Sequence, residues 1–204
     1  MSVAVLASGA GSNLQALLDD PVVGPRVVVV VSDRPDAGAL ARAAGRGVDT
    51  VLLDPAAYGS RDEHEAALVG LLGDRRVEAI CLAGYMRILG PRVVRAFWGA
   101  LLNVHPSLLP AFPGAHAVRD ALAWGAKVTG VTVHLVDEEV DHGPIVAQEA
   151  VPILDGDDEE TLHARIQEVE HRIYPAAVRA LLEGRIRVDG RRVVVEEPAR
   201  ARRG

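Results

Sequence analysis

Along the first hundred residues, short apolar runs rich in β-branched residues alternate with helical patterns. "VAVLA" (3–7) precedes a glycine-rich turn and the helical "NLQALLDD", and "VVVVV" (27–31) precedes "AGALARAAG". "TVLL" (50–53) precedes a helix opened by Ser60, with Glu63 three residues on in a capping-box arrangement. "VEAICLA" (77–83) and "ALLNVH" (100–105) continue the series. Strands that are apolar at successive positions are covered on both faces, so their alternation with helices predicts a parallel sheet layered by helices.

Beyond residue 127 the pattern changes. "KVTGVTVHLV" alternates in residue type, and "DEEVDHGPIVAQEAVPI" supplies a loop and a second strand. A long helical pattern follows from about 157 to 183, ended by Gly184, with Pro175 expected to start a new helical turn. "RIRVDGRRVVVEE" closes with Asp189-Gly190 as a hairpin turn. With no internal repeat, low-complexity segment or linker, the expectation is one α/β domain over residues 1–204. Its sheet would be twisted, Rossmann-like and mostly parallel, with mixed C-terminal strands and flanking helices.

Composition narrows the class. The 204 residues are 49% hydrophobic and 25% charged, an ordinary globular balance able to bury a large core. A formal net charge of −6 argues against a nucleic-acid partner, and the one basic run, "ARARRG" (199–204), is expected to be a solvated tail. Cys81 is the single cysteine; it lies in an apolar run, is expected to be a buried small hydrophobe, and fits a reducing compartment. No basic start leading into a long apolar stretch opens the chain, so no membrane association is expected and the location is read as cytoplasmic. The sequence leaves monomer and homodimer both open.

The candidate chemistry begins at "SGAGSN" (8–13), which follows a strand and opens a helix. Free amides and the positive end of the helix dipole converge there on an anion. The Gly-Lys-Ser/Thr ending of a nucleotide-triphosphate loop is missing, and Leu14 stands where a dinucleotide fingerprint has its third glycine, although Asp33 lies at a suitable distance for a ribose contact. One phosphate held by Gly11, Ser12 and Asn13 fits better than a pyrophosphate; a tight turn with no ligand is the plainer alternative.

In "NVHPSLLP" (103–110), Asn103 and His105 share one face of an extended segment, which Pro106 ends. That places them at the carboxyl edge of the sheet, where open α/β folds bind ligands. Histidine offers a proton or positive charge near neutral pH, and asparagine offers fixed donors to a developing oxyanion. The plainer alternative is an asparagine capping a turn beside a satisfied histidine. Asp141 in "VDHGP" is a candidate third member, whose carboxylate would raise the histidine pKa. His64, His163 and His171 are expected on helix surfaces, His142 in solvent, and His116 as a helix cap; His134 shares a strand face with Thr132 and could line the cleft. No metal-ligand spacing such as His-Glu-x-x-His occurs, so no metal is expected.

"LASGAGSNLQALL", "LAGYMRIL", "NVHPSLLPAFPG", "GVTVHLVDEEVDHGPI" and "QEVEHRIYP" occur in that order, and over residues 1–183 the chain resembles the folate-dependent phosphoribosylglycinamide formyltransferases. The resemblance implies formyl transfer from 10-formyltetrahydrofolate as cosubstrate to the amine of glycinamide ribonucleotide in purine synthesis, without a metal. It divides the chain into a phosphate-binding half (1–100), a catalytic and folate-binding half (101–184), and a C-terminal hairpin and tail (185–204). It implies Asn103, His105 and Asp141 as the catalytic trio, and Gly11, Ser12, Asn13, Gln167 and Glu170 as the nucleotide site. For formylfolate it implies Arg61, Tyr85, Met86, Arg87, Ile88, Leu89 and Val136, together with Asn103, Asp141 and the loop from Asp137. Methionyl-tRNA formyltransferases differ in the first loop and in an added C-terminal domain, and formyltetrahydrofolate hydrolases in an added N-terminal one. Ala111 and Val118 depart from the family pattern and are expected outside direct contact with substrate. Other readings are transfer to another amine, a dinucleotide oxidoreductase and a folate-binding protein without activity.

Overall fold

The computed structural model describes residues 1–197, so the basic tail lies outside the described residues. Seven strands form one sheet in the order β3-β2-β1-β4-β5-β6-β7. β1 (Val3–Leu6), β2 (Val27–Ser32), β3 (Asp49–Leu52), β4 (Ala79–Leu82) and β5 (Leu101–His105) run parallel; β6 (Val128–Leu135) and β7 (Ile145–Pro152) are antiparallel additions. The predicted change of style after residue 127 is thus a change of strand direction.

Successive residues of the central strands feed opposite faces. Val3, Val5, Ala79 and Cys81 join one core with Leu14 and Leu17 of α1 (Ser12–Asp19), Ala39 and Ala43 of α2 (Gly38–Gly45) and Ile166 and Tyr174 of α6 (Glu159–Leu182). Ala4, Leu6, Ile80 and Leu82 join the other with Leu68 and Leu72 of α3 (Arg61–Asp74) and Val93 and Val94 of α4 (Pro91–Ala96). This two-sided burial is why the runs are continuous rather than alternating. Burial pushes the Cys81 thiol up to about 12, as expected of a packing group. α5 (Ala117–Trp124) connects β5 to β6.

Two local expectations are corrected. Pro175 lies inside one uninterrupted α6 and starts no new turn, because Tyr174, Ala177 and Val178 on either side of it are buried against the sheet. The Tyr174 hydroxyl sits 2.9 Å from the Leu82 carbonyl and 3.1 Å from that of Leu102, joining α6 to β4 and β5. The Ser60 side chain does accept from the Glu63 amide, but the Glu63 carboxylate returns to the Gly59 amide instead of closing a box on Ser60. The Asp189-Gly190 turn is present, between β8 (Ile186–Asp189) and β9 (Arg192–Val195), which form a separate two-stranded sheet.

Candidate active site

The carboxyl ends of β1, β4 and β5 open into one cleft of about 700 Å³. Gly11, Ser12, Asn13, Tyr85, Met86, Arg87, Ile88, Leu89, Asn103, His105, Val136, Asp141, Gln167 and Glu170 all line it. A second cavity of about 620 Å³, between α1 and α6, shares only Ser12 with the first and holds none of the Asn–His–Asp groups.

One end is the glycine-rich turn. Gly11 caps α1 in a left-handed conformation (φ +80°), and a Cβ there would meet Ala39 Cα at 2.8 Å, so close packing of α1 on α2 requires glycine. No acidic residue stands in the first turn of α1, so its amide end keeps its positive character. Asn13 Nδ2 donates to Glu170 Oε2 at 2.8 Å, bringing the start of α1 to the middle of α6. Burial pushes the Glu170 carboxyl up, opposed by the Asn13 bond. Asp33 is committed elsewhere. It accepts from Ser8 Oγ at 2.6 Å, while Ser8 Oγ accepts from the Met86 amide at 2.9 Å, so this acid fixes the loop after β4 instead of waiting for a ribose.

The other end is assembled around β5. In the antiparallel register Asn103 faces His134 and His105 faces Thr132. The β6–β7 pairing shifts between Val133 and His134, an irregularity of the kind that re-aims side chains beside active sites. Asn103 Nδ2 lies 3.1 Å from His134 Nε2 and 3.5 Å from Asp141 Oδ1. His134 Nδ1 donates to the Leu135 carbonyl at 2.9 Å. His134 is therefore a member of the cleft; the Thr132-x-His134 spacing on a buried strand was the only signal for it.

His105 Nε2 donates to the Phe112 carbonyl at 2.9 Å, which leaves Nδ1 facing Asp141 Oδ2 at 3.4 Å. Neither Phe112 nor its role was legible in the sequence. The loop carrying it is laced to β6: Thr132 Oγ1 donates to the Ser107 carbonyl at 2.7 Å and accepts from the Leu109 amide at 3.1 Å. Phe112 (φ +51°) and Asp141 (φ +52°) both hold left-handed backbone, uncommon for non-glycine residues and concentrated at functional sites.

The expected upward shift of His105 is corrected. Burial pushes its pKa down and outweighs the Phe112 and Asp141 contributions, so the imidazole is neutral at pH 7 in the free protein. Burial would raise the Asp141 carboxyl, but His134 and His105, in their protonated forms, and the Gly114 amide, which donates at 2.7 Å, favour the carboxylate and hold it below its usual value. The pair thus rests as carboxylate and neutral imidazole, able to take up one proton at Nδ1.

Arg61 is outside the cleft. From the first turn of α3 its Nε donates to the buried Glu65 carboxylate at 2.8 Å and its Nη2 to the Ile88 carbonyl at 2.8 Å. Glu65 also accepts from the Gly90 amide at 2.8 Å, so these two residues brace the 86–90 loop from behind. Val118, expected away from substrate, lines the cleft. His64 is buried, not on the surface, with Nε2 3.1 Å from the Leu53 carbonyl. His163 is exposed and His171 half-buried, and His116 occupies the N-cap position of α5 without a side-chain cap bond. Among the described residues no group of three or more His, Cys, Asp or Glu is arranged to hold a metal ion.

The sequence model of the formyl transferase family matches residues 1–178. Phosphoribosylglycinamide formyltransferase of Mycobacterium tuberculosis (strain H37Rv) is 52% identical over 190 residues, covering 92% of this chain and 87% of that protein. The trifunctional purine biosynthetic protein adenosine-3 of Gallus gallus is 46% identical over 191 residues, covering 92% of this chain and 19% of that longer protein. The crystal structure of glycinamide ribonucleotide transformylase 1 from Symbiobacterium toebii superposes with a TM-score of 0.94 at 52% identity, covering 97% of this chain and 94% of the other. The family match takes in every residue that lines the cleft, from the turn after β1 to Glu170 in α6, and this chain belongs to the formyl transferase family.

Proposed function

We infer that this enzyme transfers the formyl group of 10-formyltetrahydrofolate to the amine of glycinamide ribonucleotide in purine synthesis, releasing tetrahydrofolate. The observation that carries the reading is the shared cleft: an anion-binding helix start at one end and the Asn103–His105–Asp141 cluster at the other. The 52% identity to a phosphoribosylglycinamide formyltransferase supports the choice of amine.

The amides of Gly11, Ser12 and Asn13 take the phosphate, with Gln167 and Glu170 beside the ribose and glycinamide. Tyr85, Met86, Arg87, Ile88, Leu89 and Val136 take the folate, with Arg61 acting on that wall through the Ile88 carbonyl. Anchoring the remote phosphate converts binding energy into orientation of the amine against the formyl carbon.

The neutral amine attacks the formyl carbon, and negative charge builds on the formyl oxygen. Asn103 Nδ2 donates to that oxygen, an effect worth about 3–4 kcal/mol for one strong donor. The ammonium formed by attack loses its proton to His105 Nδ1, next to Asp141, and the resulting imidazolium adds positive charge near the oxyanion. Collapse of the intermediate breaks the bond to the folate nitrogen, which receives the proton. Asp141 holds the imidazolium form during the interval, and no bond to the protein forms.

Location in the cytoplasm fits the buried free thiol of Cys81, and among the described residues no helix is long and apolar enough to cross a membrane. The test is to follow tetrahydrofolate release from 10-formyltetrahydrofolate with and without glycinamide ribonucleotide. Release that requires both the nucleotide and His105 is expected; nucleotide-independent release would make the protein a hydrolase.

A further inference from the structure

Asp141 lies in the loop between β6 and β7, and its left-handed backbone must be held by its surroundings. Gly143 closes one side, where a Cβ would fall 1.8 Å from the Leu135 carbonyl oxygen. Between them, His142 Nδ1 pairs with Asp137 Oδ2 at 2.7 Å. The outer contact comes from the β8–β9 turn: Arg191 donates to the His142 carbonyl at 2.6 Å and lies 3.1 Å from His142 Nε2. A guanidinium only donates, so Nε2 accepts and the imidazole proton is directed from Nδ1 to Asp137. The chain Arg191–His142–Asp137 therefore grips both the backbone and the ring of the residue that follows Asp141. The hairpin lies beyond residues 1–178, the part that matches the family.

We propose that Arg191 is a positioning residue for formyl transfer: it fixes His142, the residue after Asp141, by its carbonyl and its ring, and so keeps the Asp141 carboxylate aimed at His105. Without it, the His142 peptide rotates, Asp141 relaxes toward ordinary negative φ, and its contacts with the Gly114 amide and His105 Nδ1 are lost. The nucleotide end of the cleft, on α1 and α6, is untouched. This inference rests on the role given to Asp141 above.

The experiment compares wild type, Arg191→Ala, Arg191→Lys, Asp141→Asn and the Arg191→Ala/Asp141→Asn double variant of the full chain, using glycinamide ribonucleotide and 10-formyltetrahydrofolate. Arg191→Ala is expected to lower kcat about tenfold, as small misplacements of reacting groups do, with unchanged Tm and unchanged KM for the nucleotide. Arg191→Lys, whose ammonium still reaches the His142 carbonyl, is expected to recover much of the loss. In the Asp141→Asn background the Arg191→Ala change is expected to cost nothing further. Turnover of Arg191→Ala within twofold of wild type would overturn the proposal. So would an equal loss in both backgrounds, or a loss accompanied by a lower Tm and weaker nucleotide binding. Wild-type turnover in Asp141→Asn alone would instead remove the reading of Asp141 on which it stands.

Discussion

At the phosphate end of the cleft the proposed binding groups are neighbours in the chain, Gly11, Ser12 and Asn13, on a turn whose shape is set by β1, α1 and one left-handed glycine. At the transfer end they come from β5, the loop after it, β6 and the β6–β7 loop, with Phe112 and Asp141 both in left-handed backbone without being glycine. The first end is a backbone device, which tolerates side-chain variation as long as the turn survives. The second is a side-chain device, in which each group has its direction set by a partner remote in sequence. Damage at the first should appear in binding, and damage at the second in turnover.

The sharpest way to break this contrast is at His105 and Asp141. His105→Ala and Asp141→Asn are each expected to lower kcat by about 10²–10⁴, with little change in KM for the nucleotide, in steady-state assays. Asn103→Ala is expected to follow, at about 10²–10³ in kcat, from loss of one oxyanion donor. Gly11→Ala should behave in the opposite manner. A Cβ 2.8 Å from Ala39 Cα in left-handed backbone displaces the turn, and about a tenfold rise in KM for the nucleotide is expected with kcat much less affected.

A pH profile sharpens the assignment at the transfer end. Burial holds His105 below its ordinary 6.5, so the free enzyme has its proton acceptor available above that range and loses it as pH falls. kcat/KM is therefore expected to decline on the acid side with an apparent pKa below 6.5, and the residual activity of His105→Ala should lack that limb. A profile rising toward acid would show that the protonated imidazole is the working form. The smallest effect is expected at Lys127, whose ion pair with Asp155 is exposed on both sides; Lys127→Ala should leave kcat, KM and Tm at wild-type values.

The legible part of the site follows the same division. Gly11–Asn13 could be read because a strand, a glycine turn and a helix start are written in consecutive residues. Asn103 and His105 could be read because a two-residue spacing on a strand stopped by Pro106 places both on one face. The resemblance supplied Gln167, Glu170 and the 85–89 loop, which line the cleft, and Arg61, which does not. A motif position carries no information on side-chain direction: Arg61 points to Glu65 because that buried carboxylate one turn along α3 needs a cation. His64 misleads in the same way, since polar neighbours on a helix do not reveal that one face is covered by the segment after β3.

The parallel α/β core, the glycine-rich turn and the candidate trio could be read from the chain alone, because these depend on periodicity and on residues close together in it. Tertiary structure decided the rest. It gave His105 its tautomer through the Phe112 carbonyl, lowered its pKa by burial, admitted His134 through strand register, and turned Asp141 inward through the Gly114 amide. Each of these is a contact or a desolvation between segments that only folding brings together, and no local pattern encodes its sign or its distance.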